Sequence, residues 1–260
     1  MQLDQVLPED TLFPAVATAF ERGNVGLAVA IVADEIDACD PTDATTLVHL
    51  HVQGILAARL AGHTDQAKTW VDAALRIAAA HDARSQVLAR AMRVFVAADS
   101  MPKESLRAEA EAIQTLLKEV FDEPARRFGQ FATLFALIVG GDLAAARAAL
   151  SALRETLKSA QSTLWLDARA QVCEAVIEYL DANGAAATSV LELLQPLTLA
   201  ANSSIPLASM WWEIAELRHS LGQEQKAWES ARRAIDASTV RPPDGHSSFA
   251  PGVLSWELTV

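Results

Sequence analysis

The strongest constraint on this 260-residue chain is a recurrence. Breaks between apolar, helix-forming stretches fall near Gly23, Gly62, Met101, Gly141, Gly184 and Gly222, at spacings of 39, 39, 40, 43 and 38 residues. A fixed period of about 20–50 residues marks stacked repeats. Each break is followed by an alanine-rich helical stretch, such as Gln66–Ala80 or Leu143–Leu157, and preceded by another, such as Thr45–Ala61 or Ala125–Val139. The unit is therefore helix, tight turn, helix. Six units fill roughly 8–240, giving a single helical-repeat domain over 1–240 and a non-repeat tail over 241–260. One helical hairpin cannot bury its own apolar face, so the hairpins must stack. The expected fold is all-α, an α-solenoid of about six helix-turn-helix repeats.

Local signals agree. Apolar residues recur at helical spacing in Leu106, Ala110, Ile113, Leu117 and Val120, and in Val172, Ala175, Val176, Tyr179 and Leu180. Asp43, Thr64, Asp142 and Thr163 stand where N-caps are needed. Pro41, Pro102, Pro124 and Pro206 lie at links or first turns, where a missing N–H costs little. Pro196 falls inside Ser189–Ala201 and is expected to kink or end that helix. Phe128–Val139 is apolar nearly all round and is expected in the middle of the stack.

These residues resemble tetratricopeptide repeats. Trp211, Ile214 and Ala215, then Gly222, Ala227, Ala231 and Ala234, stand at that repeat's signature spacing. The second unit keeps Gly62, Ala67, Val71 and Ala74, the fourth Gly141, Ala146, Leu150 and Leu153, and the first Leu12, Ala15, Gly23, Ala28 and Val32. The period is about 40 rather than the usual 34. The aromatic midway along the first helix becomes Ala19 or Arg218, the closing proline is mostly absent, and the third and fifth units match poorly. The longer period is similar to repeats in the sensor domains of large ATP-dependent bacterial transcription activators. The resemblance implies a helical-repeat fold and an interaction role.

Charge and cysteines narrow the partners. Lys plus Arg is 21 against 33 Asp plus Glu, a net charge of −12. Residues 1–50 hold nine acids and one base, Arg22. A protein that tracks a phosphate backbone needs a basic footprint, so direct nucleic-acid binding is not expected. The N-terminus has no basic, apolar leader pattern, and no apolar run reaches the ~20 residues needed to span a bilayer. With only Cys39 and Cys173, far apart, a cytoplasmic chain without a membrane partner is expected.

Catalytic and metal chemistry find no support. There is no Gly-x-Ser-x-Gly elbow and no phosphate-binding glycine loop. Cys173 lies on an apolar helical stripe, as a packed thiol does. His49 and His51 are two residues apart on a helix, about 200° around it, so they cannot share a metal and read as surface or groove histidines. Asp34, Glu35, Asp37, Asp40 and Asp43 cluster around Cys39 without the register of a calcium loop. They read as solvated charge or a contact for a basic partner. No enzyme, metal or cofactor is expected.

A concave groove lined by first helices is the expected site. The tetratricopeptide-like register turns Phe13, Phe20, Arg59, Glu178, Trp212 and His219 inward, and Arg90, Arg93 and Arg127 lie on first helices too. Aromatics and arginines are the residues that anchor a peptide. They also serve inter-repeat packing, and Trp212 could pack on a neighbouring unit or the tail. The expected function is a non-enzymatic adaptor or scaffold that binds a protein segment or peptide. The alternative, implied by the regulator resemblance, is a ligand- or peptide-sensing module acting through a partner. Arg84, Arg90 and Arg93 suggest an acidic segment, and the acidic first unit a basic one. In the tail, Leu254, Trp256 and Leu258 alternate with Ser255, Glu257 and Thr259, an extended pattern. Trp256 is expected to be buried against the last repeat or another chain, which leaves a homodimer through the tail open.

Overall fold

A computed structural model describes residues 13–21, 24–159, 164–194 and 205–238. Among them are twelve α-helices: α1 (Pro14–Glu21), α2 (Val25–Ala38), α3 (Ala44–Leu60), α4 (Thr64–Ala78), α5 (Ala83–Ala97), α6 (Lys103–Leu116), α7 (Glu123–Val139), α8 (Leu143–Ser159), α9 (Leu164–Leu180), α10 (Gly184–Leu193), α11 (Ile205–Ser220) and α12 (Glu224–Ser238). The described residues contain no strand. The fold is all-α, a helical-repeat arrangement in which consecutive helices pack as in an α-solenoid. It divides into two compact units, residues 2–141 and 142–249.

The turns follow from backbone sterics. Gly62, Gly141 and Gly222 have φ of 77°, 73° and 72°, the left-handed region open to glycine. At the first of these the Gly62 N–H donates to the Arg59 carbonyl (3.1 Å) and the His63 N–H to the Ala58 carbonyl (2.7 Å). This pair of bonds closes the helix end and reverses the chain. The fifth turn uses Ala182, φ 57°, not the expected Gly184, which instead begins α10. The third turn has no left-handed residue; a 3-10 turn, Ala98–Ser100, leads into extended Met101 and Pro102.

Caps start the next helices. Asn24, Asp43, Asp82, Asp122 and Asn183 each accept from the backbone N–H three residues on. Asp142 does the same for Ala145 at 3.1 Å. Thr64 does not cap: the glycine turn makes His63 the N-cap, and Thr64 is the first helical residue. Thr163 and Pro196 lie outside the described residues; α10 ends at Leu193, and Pro206 is in the first turn of α11.

In the first unit α1 packs on α2, α3 on α4 and α5 on α6, while α3 packs on α5 and α5 on α7. The first helices thus line up side by side. α3 is buried without interruption from Leu47 to Ile55. Gly54 permits this closeness, because a Cβ there would come within 2.7 Å of the Trp70 ring and of Val32. α7 buries Phe128 and Gly129, then Ala132 to Ile138. In the second unit α8 packs on α9, α9 on α10 and α11, and α11 on α12.

Candidate functional site: a stripe on the first helices

A fixed offset from the turns aligns the hairpins. Six residues before each turn position, counted from Gly62, Met101 and Gly141, stand Leu56, Phe95 and Phe135 on α3, α5 and α7. Leu56 and Phe95 are half-buried and Phe135 is 8% exposed. The Phe95 ring lies 5.6 Å from the Phe135 centroid, and 5.5 Å from Phe128 at 63°, an edge-on contact. Because α3 packs on α5 and α5 on α7, this row runs across successive first helices as an apolar stripe. Arg59, one turn beyond Leu56, and Phe131 and Arg127 on α7 are also half-buried and border it. The Arg127 Nε makes only a long, local bond to the Glu123 carbonyl (3.4 Å). The arrangement offers apolar area with cations at its margins, and it contains no nucleophile–base pair.

A polar chain crosses the same three helices. Arg84 Nη1 lies 2.8 Å from His49 Nε2, and Arg84 Nε donates to Asp122 Oδ2 at 3.3 Å. A guanidinium only donates, so His49 Nε2 accepts and its proton sits on Nδ1. His49 and His51 are both buried, contrary to the surface or groove position expected, because α3 is buried without interruption from Leu47 to Ile55. Burial, with Arg76 nearby, pushes the His51 imidazole down to about 4. Its Nδ1 has no hydrogen-bond partner.

The remaining expected residues are divided between the two units. Arg90 and Arg93 donate to the two oxygens of buried Glu109 on α6, at 2.9 and 2.7 Å. They lie about 140–160° around α5 from Phe95, and each of Arg84, Arg90 and Arg93 has a partner within its own unit while the Arg93 side chain stays 42% exposed. Phe13 is half-buried, and its backbone N–H donates to Gln53 Oε1 at 3.1 Å; the Phe20 side chain lies outside the described ones. In the second unit Glu178 of α9 pairs with Arg147 of α8 and accepts from Asn183 at 3.0 Å. His219 Nδ1 lies 2.9 Å from Glu224. Trp212 is 47% exposed, and its indole N–H donates to Glu216 at 2.9 Å. It stands ten residues before the turn, where the earlier first helices carry Val52, Ala91, Phe131 and Val172. Three of those four are fully buried.

The cysteines and the acidic cluster have local accounts. Burial pushes the Cys173 thiol up to about 11, away from the thiolate that reactivity needs. Burial, with Asp43 and Asp40 beside it, also raises the Cys39 thiol. Asp40 accepts from the Thr42 N–H and hydroxyl, and Asp43 caps α3. No described helix is long and apolar enough to cross a membrane. The Leu56–Phe95–Phe135 row escaped sequence reading, although its constant distance from each turn could have revealed it. No family model, curated protein or solved structure matches this chain.

Proposed function

We propose that the chain is a non-enzymatic, tetratricopeptide-like adaptor that takes an apolar segment of a partner protein along the first helices of its first unit. The observation that carries this reading is the stripe formed by half-buried Leu56 and Phe95 with buried Phe135 beside them. Apolar and aromatic side chains held at fixed spacing are preorganised, so a partner bears most of the ordering cost. Arg59 and Arg127 border the stripe and suit a carboxylate flanking the apolar residues.

A displayed library of random peptides, selected on the immobilised full chain, tests this. Peptides with two or more apolar residues should be enriched on the wild-type chain and lost on Leu56→Asp, whose circular dichroism should match wild type. Enrichment that survives Leu56→Asp, or no enrichment at all, overturns the stripe as the binding surface.

A further inference from the structure

Terminal hairpins of helical arrays need a polar outer face, since no neighbour covers them. The last described hairpin breaks this rule. Trp228 is 76% exposed and Ile235 48%, two turns apart on one face of α12, with Trp212 of α11 also exposed.

The repeat register shows what this face does elsewhere. Trp228 stands six residues after the turn residue Gly222; the same place holds Val29, Lys68, Arg107, Arg147 and Thr188. Val29 is buried. Arg107 donates to the Gly140 carbonyl at the end of α7 (2.9 Å). Arg147 pairs with Glu178 and Asp181 at the end of α9. Thr188 accepts from Gln223 in the α11–α12 turn (2.7 Å). Lys68 and Arg107 are exposed. Ile235 stands thirteen residues after its turn, where Ile36 and Leu75 are half-buried, Gln114 is exposed and Arg154 pairs with Glu174 of α9. At Arg107, Arg147, Arg154 and Thr188 these positions hold a second helix to an element that follows it. Trp212, likewise, occupies a place that three earlier first helices bury. The exposed apolar side chains of the last hairpin therefore mark the seat of one more element.

We infer that this seat takes the chain's own segment Val253–Leu258, as an intramolecular cap. Residues 239–252 provide 14 residues of tether, rich in proline, glycine and serine. Extended, they reach up to about 46 Å, whereas α12 is only about 22 Å long. In an extended segment Leu254, Trp256 and Leu258 fall on one side, matching an apolar seat. A tethered segment acts at an effective concentration of order millimolar, which a second copy in solution does not reach. The inference is independent of the stripe, which lies in the other unit.

Thermal unfolding of the full chain and its Trp228→Ala, Trp256→Ala and double variants tests it. Each single change should lower Tm by about 2–4 °C. The double should fall no further than the larger single, because both remove one contact. The fluorescence difference between wild type and Trp256→Phe should be that of an indole shielded from acrylamide, at every protein concentration. Light scattering should report a monomer. Fully additive effects with a quenchable Trp256 overturn the inference. A wild-type dimer that Trp256→Ala dissociates also overturns it, and assigns the seat to a second copy. Trp228 is mostly exposed, so its variant is expected to fold.

Discussion

Ala182 carries a side chain where the matching turns use glycine, and its φ of 57° costs an L-residue roughly 1 kcal/mol. Ala182→Gly should stabilise the chain by about 0.5–1 kcal/mol in urea unfolding. His51 makes a pH prediction. Its imidazole is held neutral, at about 4 against 6.5 ordinarily. Between those values the unfolded chain binds the extra proton, so stability is complete above pH 6.5 and falls as pH drops toward 4. The full loss is about 3 kcal/mol. His51→Leu should flatten that part of the stability–pH curve, and an unchanged slope would assign it to other groups. Residue-scale roles were the least legible part of the sequence. Arg218 stands where the tetratricopeptide-like pattern has an aromatic. It is buried and bonds Ser230 on α12 at 2.8 Å, a partner that no local pattern announces. Arg90 and Arg93 looked like a free basic patch because Glu109 meets them only once α5 and α6 have packed.

At the scale of elements, hairpins and turns were legible because glycine sterics and helical periodicity are local. The Gly62, Gly141 and Gly222 turns fall at the expected residues, while the fifth shifted to Ala182, a residue without a turn signature. The burial of α3 on successive faces from Leu47 to Ile55 was not legible, since His49, His51 and Gln53 give it a polar face on paper. The stripe stayed hidden for a related reason. Leu56 and Phe95 look like any core residues until the neighbouring helices are placed. Gly54 tests the close approach: Gly54→Ala should destabilise by about 1–3 kcal/mol, because the Trp70 ring and Val32 must both retreat. In the second unit Arg169 of α9 pairs with Glu213 of α11, and both side chains are nearly inaccessible. Removing one partner, as in Arg169→Ala, strands a buried charge and should cost about 3–5 kcal/mol in denaturant unfolding.

At the scale of the whole molecule, the main contacts among the described residues join elements that are adjacent or nearly adjacent in sequence. Stability in such a chain is close to a sum of hairpin and nearest-neighbour contributions. Arg169→Ala should therefore speed amide exchange in α9 and α11 while α3 and α5 keep their wild-type protection. Uniform loss of protection would show that the array unfolds as one block. The even spacing of the stripe also makes it a measure of length. Packed helices lie about 8–10 Å apart, so Leu56, Phe95 and Phe135 mark three rungs over roughly 20 Å. An extended peptide of about six residues covers that distance. One residue inserted in α5 ahead of Phe95 would turn it about 100° out of line, whereas inserting a whole hairpin would add a rung and leave the others in place. The number of hairpins thus sets the length over which such a row of side chains extends.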